Sequence, residues 1–392
     1  MLQLCTSQQI SETPFTFKAT GIRVYSIEEA LYHAYHYWRE SADEILSAKM
    51  VAWVSDLGHS QLSVTMAVIA KEEPLSKRML AFLGIIEYFN ETELSHLKKD
   101  LESWEHRVEW ERLKDRADNL VSRGDPAKAL PLYARALKYE ENAPLLNNMA
   151  IASMQLANHG QAVSLLAKAH AIEPNNPAIT LHYAEAAILN RDYEKAELLL
   201  RKTEEAIPGN ADTAFLRGTM AYQQENYPLA LSWLEKAKTI CTKATQAENT
   251  TNRALLYQCT HKLAETYVKM SQQDKALAAL DQNDPNYHIK MAEIYAQNGH
   301  VHMPDAIRHT KEAIAKGGHN ATALWTKLAM YYRMDFDWQR AGEAIANALP
   351  SESEATLLEN ARIQKGLGRM RDYRAGLLEV LSKLKKRYRA GE

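Results

Sequence analysis

The sequence predicts an all-α protein built as a stack of helical hairpins. Three observations carry that expectation. Small residues recur in fixed slots: Ala117, Ala129 and Ala136; Ala150, Ala162 and Ala169; Ala184, Ala196 and Thr203; Gly218, Ala230 and Ala237. Within each unit the gaps are 12 and 7 residues, and the step between units is 33 or 34. A gap of 7 puts two residues on one helical face, two turns apart. The gap of 12 spans polar turns such as Arg123-Gly124-Asp125 and Asn190-Arg191-Asp192, so it joins two helices. Third, composition leaves little room for linkers: 46% hydrophobic, 24% charged, 15 Gly and 12 Pro in 392 residues.

Ahead of the repeats, residues 1–20 are polar, with Pro14, and read as an arm. Residues 21–108 read as a helical domain. Ser26-Ile27-Glu28-Glu29 is a capping box, in which Ser26 accepts from the amide of Glu29 and the Glu29 carboxylate reaches back. An aromatic-rich helix follows to about Glu40, then helices near 43–57, 60–71 and 75–89. Asn90 with Glu93 caps a long helix expected to run through Trp104 and Trp110 into the first repeat.

Four regular repeats occupy 109–240. The stretch 241–253 is polar and Thr-rich, and is expected as a break, a loop or a helix extension that divides the array into two stacks. Degenerate repeats follow over 254–350: Asp281 to Pro285 cuts one second helix short, and extra residues widen the turn before Ala306. Residues 351–392 read as capping helices, with a worn eighth hairpin around Ala361, Gly368 and Tyr373 and a basic end.

These units resemble the tetratricopeptide repeat family. The best match is Pro177 to Asn210, with Tyr183-Ala184, Ala187, Asp192-Tyr193, Ala196, Leu200 and Pro208 in the family's slots. Ile172-Glu173-Pro174-Asn175-Asn176 is similar to the family's closing phrase, and Asn226-Tyr227 and Trp233-Leu234 fit the fourth unit. The resemblance implies a right-handed α-solenoid of about seven to eight hairpins with an N-terminal helical domain. The Val24 to Leu31 phrase resembles helical segments on tetratricopeptide proteins of Gram-positive bacteria.

It also implies that the first helix of each hairpin lines a concave groove. The inward positions map to Lys114, Asp118, Asn147, Ile151, Met154, Leu181, Glu185, Ile188, Phe215, Thr219 and Tyr222, some of which pack between helices. The co-chaperone branch clamps a terminal carboxylate with two Lys, two Asn and an Arg. Lys114 and Asn148 stand in two of those slots, but Asp118, Ala178 and His182 replace the others. An acid repels a ligand carboxylate and the missing cations remove charge-assisted hydrogen bonds, so such clamping is not expected. The expected ligand is an extended peptide or partner helix with apolar anchors.

Several classes are disfavoured. Net charge is −2, and the helix-turn-helix candidate His59 to Thr65 has no cation before Lys71, so nucleic acid is not an expected partner. Between Arg362 and Arg389 ten Lys or Arg face only Asp372 and Glu379. This end reads as a solvated last helix whose cations complement its dipole, with an acidic partner as the alternative. Phosphate-binding loops, Gly-x-Gly-x-x-Gly, Cys-x-x-Cys and His-Glu-x-x-His are absent from the sequence. His300, His302, His309 and His319 read as surface residues of the widened turn, and no metal, cofactor or small-molecule substrate is expected. Cys5, Cys241 and Cys259 are too few and too scattered for a disulfide framework. No apolar run approaches the roughly 18 residues of a transmembrane segment, and the start lacks the pattern of a cleaved signal. A cytoplasmic, bacterial, non-catalytic adaptor or scaffold is therefore expected. The alternatives are a peptide-sensing regulator acting through the N-terminal domain, and a secretion or assembly chaperone.

Overall fold

The computed structural model describes residues 13–72, 74–85, 88–246, 251–317, 321–349 and 353–390. The chain divides into two compact units, Met1–Leu199 and Leu200–Glu392.

The first unit begins with an element that was not expected. Strands β1 (Phe15–Thr16) and β2 (Arg23–Val24) pair antiparallel, Phe15 opposite Val24. The described part of the polar arm thus belongs to the N-terminal core, since Phe17 is fully buried against the His33 ring, 3.7 Å between centroids. Helices α1 (Ile27–His36), α2 (Trp38–Ser41), α3 (Ala48–Asp56), α4 (Ser60–Ile69), α5 (Leu75–Leu83) and α6 (Glu91–Glu105) enclose that core. Leu31, Trp38, Met50, Met66, Leu83, Leu101 and Trp104 fill it. Ser26 caps α1 by accepting from the Glu29 amide, while the Glu29 carboxylate accepts from the amide of Tyr25, one residue before the cap. The Asn90–Glu93 box forms in both directions. The long helix expected through Trp104 and Trp110 is two helices. It stops at Glu105, and α7 (Glu109–Ser122) restarts where the Glu111 carboxylate accepts from the Val108 amide.

Three hairpins complete this part of the array: α7 with α8 (Pro126–Ala136), α9 (Ala143–Gln155) with α10 (His159–Ile172), and α11 (Pro177–Leu189) with α12 (Tyr193–Ala206). The boundary between units falls within α12. The second unit continues with α13 (Ala211–Gln223), α14 (Tyr227–Gln246), α15 (Thr251–Lys269), α16 (Gln273–Ala279), α17 (Tyr287–Gln297), α18 (Met303–Ala315), α19 (Ala321–Met334), α20 (Trp338–Ala346), α21 (Glu354–Gly366) and α22 (Met370–Ala390). The fold is an all-α solenoid of helical hairpins. The stretch 241–253 is helical at both ends, since α14 runs to Gln246 and α15 begins at Thr251; residues 247–250 lie outside the described residues. The unit boundary therefore does not coincide with it. Cys241 and Cys259 are buried cysteines on these two helices, not joined by a disulfide; Cys5 lies outside the described residues.

The small slots do what their spacing implies. Every alanine among them is essentially inaccessible to solvent, and Thr203 nearly so. A Cβ on Gly218 would stand 2.7 Å from Leu234 Cγ, inside van der Waals contact, so the slot admits only glycine at this helix separation.

The turns hold a second periodicity. One residue with positive φ closes the first helix of each hairpin: Gly124, Ala157, Arg191, Glu225, Ser271, Gly299, Phe336 and Gly368. In all but the Gly299 turn, two backbone bonds flank it. The Asp125 amide donates to Leu120 O and the Gly124 amide to Val121 O; Asn158 and Ala157 do the same to Ser153 and Met154. This is the Schellman closure, which satisfies the carbonyls orphaned at a helix end. The sixth hairpin replaces it with Gly299 and a 3-10 turn, His300–His302.

Candidate functional site

The first helices of the first unit's hairpins, α7, α9 and α11, carry most of the expected groove residues, and a hydrogen-bond chain joins them. Lys114 Nζ donates to Asp118 Oδ2 at 2.7 Å, and Tyr133 Oη and Asn148 Nδ2 donate to Asp118 Oδ1 at 2.6 and 2.9 Å. Asn147 Nδ2 donates to Asn148 Oδ1, and Asn147 Oδ1 pairs with His182 Nδ1 at 2.8 Å. Burial and the Asp118 carboxylate push the Tyr133 phenol far above its ordinary range. Asp118 accepts from three side chains, which explains an acid where the carboxylate clamp has an amide. Lys114 and Asn148 are turned toward it.

Beside this chain, Ile151 and Met154 on α9 and Leu181 and Glu185 on α11 are half-buried. The spacing of Asn147, Ile151 and Met154 keeps them on one face. Ile188, also mapped inward, is buried and belongs to the packing.

The opposite side of α7 holds the N-terminal helices. Asp115 forms ion pairs with Arg39, Nε at 2.9 Å, and with Arg107, Nη1 at 3.3 Å. Arg116 Nη2 donates to the Glu40 carbonyl and to Asp43, and Arg123 Nη2 donates to the His36 carbonyl at 2.6 Å. The Arg123 guanidinium lies over the Tyr37 ring at 3.7 Å, and Tyr37 stacks on His33. Burial first, and Arg123 second, lower His33 to about 4, so this ring is neutral at neutral pH. Burial raises the Glu40 carboxyl against the pull of Arg123, Arg39 and Arg116. No periodicity in the sequence marks these contacts.

In the second unit, Phe215 packs into two adjoining apolar clusters and serves the core; Thr219 donates its hydroxyl to the Phe215 carbonyl. Tyr222 is half-buried, meets Tyr227 edge-on and lies under Lys262 Nζ at 4.9 Å. It borders a cavity of about 270 Å³ lined also by His261, Glu265, Lys290, Glu293 and Gln297.

From there the first helices carry ion pairs. Lys262 donates to Glu265 at 2.6 Å, Lys290 donates to Glu293 at 3.0 Å, and Lys327 also donates to Glu293. Arg333 and Arg362 both donate to the buried Glu359. Burial opposes the Glu293 charge, but its bonds to Lys327 and Lys290 outweigh burial and hold the carboxyl below its ordinary value. Sequence reading placed the groove in the early repeats and missed this ladder. The repeated Lys-x-x-Glu at 262–265 and 290–293 is the signal that could have shown it.

The histidines divide. His300 and His302 do lie in the widened turn, His300 exposed and His302 half-buried against Tyr295. His309 corrects the expectation: it is 5% exposed on α18, facing His288. His319 lies outside the described residues. At the basic end, α22 exposes Leu378, Leu381 and Leu384; the side chains of residues 385–390 lie outside what is described. No helix among the described residues is long and apolar enough to cross a membrane.

A tetratricopeptide repeat family model matches residues 154–218. No curated protein matches the chain. Among solved structures, it is similar to a thermophilic tetratricopeptide protein of Thermus thermophilus, at 20% identity and a TM-score of 0.40, over 48% of this chain and 99% of that one. It is also similar to MamA, residues 41 to the end, of Desulfovibrio magneticus, at 18% identity and a TM-score of 0.34, over 44% of this chain and 92% of that one.

Proposed function

We propose, from the premise that this chain is a tetratricopeptide-repeat protein, that it is a non-catalytic, cytoplasmic protein–protein interaction scaffold. Its ligand is an extended peptide or a partner helix laid along the first helices α7, α9 and α11. The observation that carries this reading is the pairing of two kinds of residue on one face. The Lys114–Asp118–Asn148–Asn147–His182 chain fixes the polar side chains, and Ile151, Met154 and Leu181 stand half-buried beside it. Preorganised polar groups next to half-buried apolar side chains fit a segment with hydrophobic anchors. Tyr222 and the cavity it borders form a separate, more charged surface for a partner side chain.

The test is capture of partners from the native cell by wild type and by helicity-matched variants at low and high salt. Met154→Ala combined with Leu181→Ala should weaken capture by about 1–3 kcal/mol, the loss of an anchor. Tyr222→Ala should do so for ligands of the second unit. Lys114→Ala should matter less and salt should matter little, since few ion pairs reach the ligand. Retention by all of these variants, with loss on deleting Arg362–Arg389, would move the binding site to the basic end and an acidic partner.

One observation favours the regulator reading as a second mode. α7 presents Lys114 and Asp118 on one side and Asp115, Arg116 and Arg123 to the N-terminal helices on the other. A ligand that shifts α7 bears on both. Hydrogen exchange across α1 and α2 that is the same with and without bound partner would end this reading.

A further inference from the structure

The sixth hairpin is the irregular one. α17 has 11 residues, it follows the Asp281–Pro285 interruption, and its turn lacks the Schellman closure of the other seven. At the end of the hairpin remote from that turn, two helices bring three metal-ligating side chains together. His288 Nδ1 lies 2.9 Å from His309 Nδ1 and 2.8 Å from Glu312 Oε2, and His309 Nδ1 is 3.6 Å from the same oxygen. Among the described residues this is the group of His, Cys, Asp and Glu side chains whose donor atoms converge.

We propose that His288, His309 and Glu312 form a site for a zinc-class divalent cation that staples α17 to α18. Two imidazoles and a carboxylate are a donor set that zinc accepts, with water in the fourth position. With bonds of about 2.0–2.1 Å, the edge of a tetrahedron is about 3.3 Å. The three separations bracket that edge, so small rotations of the side chains suffice.

The cluster's own hydrogen bonding is incomplete. Lys316 Nζ donates to His288 Nε2 at 2.9 Å, which places the proton of a neutral His288 on Nδ1. That one proton faces both His309 and Glu312 and is well aligned with only one at a time. A cation that replaces that proton, with Nε2 protonated instead, would meet all three lone pairs at once.

The surroundings orient the ligands. Glu312 turns Oε1 to Arg308 Nη1 at 3.4 Å, leaving Oε2 for the histidines, and Arg308 is itself held by Asp305. Tyr295 stacks on His309 at 5.6 Å and Tyr287 meets His288 edge-on. Such outer-shell support is typical of metal sites. Lys316 opposes binding, because metal on Nδ1 needs the proton on Nε2. Lys316 is exposed and free to swing away.

The experiment uses full-length protein without a histidine tag. Co²⁺ is titrated as a spectroscopic probe, Zn²⁺ competes it off, and thermal unfolding is followed with and without Zn²⁺. One Co²⁺ per chain should bind with the visible bands of a four-coordinate N/O site and without thiolate charge transfer, and Zn²⁺ should raise the unfolding midpoint. Outer-shell partners alone are worth about 10–100-fold in affinity, so His288→Ala and Glu312→Gln should each weaken binding at least about tenfold. Glu312→Gln keeps the side chain's shape and guards against a folding defect. Lys316→Ala should tighten binding. Absence of Co²⁺ bands in wild type would overturn the proposal. So would equal affinity in all variants, or binding lost only in Cys241→Ser.

Discussion

The first helices of the two units present faces built from similar helices in different chemistry. In the first unit, α7, α9 and α11 are joined by amides, a phenol, an imidazole and a single carboxylate. In the second, α17, α19 and α21 are joined by Lys–Glu and Arg–Glu pairs, and α15 carries a Lys–Glu pair of its own. Amide and phenol hydrogen bonds gathered on one half-exposed carboxylate, with Lys114 beside it, add modestly to stability. Buried ion pairs cost desolvation on formation, and breaking one by removing a single partner is severe. The same repeat scaffold thus yields one face that tolerates substitution and another that depends on its partners.

The largest expected effect tests this contrast directly. Arg333→Met leaves Glu359 buried with Arg362 Nη1 at 3.3 Å as its remaining cation. The cost should be about 2–3 kcal/mol, below the roughly 3–5 kcal/mol of a fully unpaired buried charge. Asp118→Asn keeps the acceptor for Tyr133 and Asn148 and loses the charge facing Lys114, so about 1 kcal/mol is expected. Denaturant melts of both variants decide it, and equal losses would erase the distinction.

Acid sharpens the comparison further. His33 in the first unit is held near 4 against 6.5 in the unfolded chain. Its contribution is fully present above 6.5 and is lost as pH falls from 6.5 toward 4, because the unfolded chain takes up the proton first. Glu293 in the second unit lies below its ordinary 4.5, so its contribution is present above 4.5 and lost as pH falls below that value. His288 and His309 are shifted in the same direction as His33 and act in the higher window too. Unfolding midpoints against pH should therefore flatten in the higher window for His33→Gln and in the lower one for Glu293→Gln. A His33→Gln profile parallel to wild type throughout would contradict the burial of a neutral ring.

How far this was legible in the sequence follows from what kind of contact each feature is. The hairpins were readable because Ala117, Ala129 and Ala136 and their repeats mark close helix approach, which depends on side-chain size at fixed spacing. The half-buried positions of Ile151, Met154 and Leu181 follow from that register. The β1–β2 pairing, the docking of Arg116 and Arg123 on the first helices, and the meeting of His288 with His309 join residues of unrelated spacing, so periodicity is silent on them. Asp118 could be read only as a departure from a clamp; its role as an acceptor appears once Tyr133 and Asn148 are placed beside it. For 241–253 the Thr-rich composition left a loop and a helix extension both open, and the helix extension holds at its two ends, where α14 runs to Gln246 and α15 begins at Thr251.

The smallest effect concerns the turns, where the two units share one device. Ala157 in the first unit and Phe336 in the second both adopt positive φ, at 59° and 61°, in Schellman closures with the same two backbone bonds. A side chain in this region costs energy that glycine avoids, although glycine also loses more entropy on folding. Ala157→Gly should therefore be close to neutral, or stabilising by at most about 0.5–1 kcal/mol. Phe336 carries a bulkier side chain, but its exposed ring stacks on His300 at 5.3 Å. Phe336→Gly gains on the backbone and loses that contact, so its net gain should be smaller than that of Ala157→Gly. Removing His300 first, with His300→Ala, should restore the difference, and a double-mutant cycle measures it. If Phe336→Gly changes stability by the same amount with His300 present or absent, the stacking has no energetic weight. The two turns would then differ for a reason outside this pair.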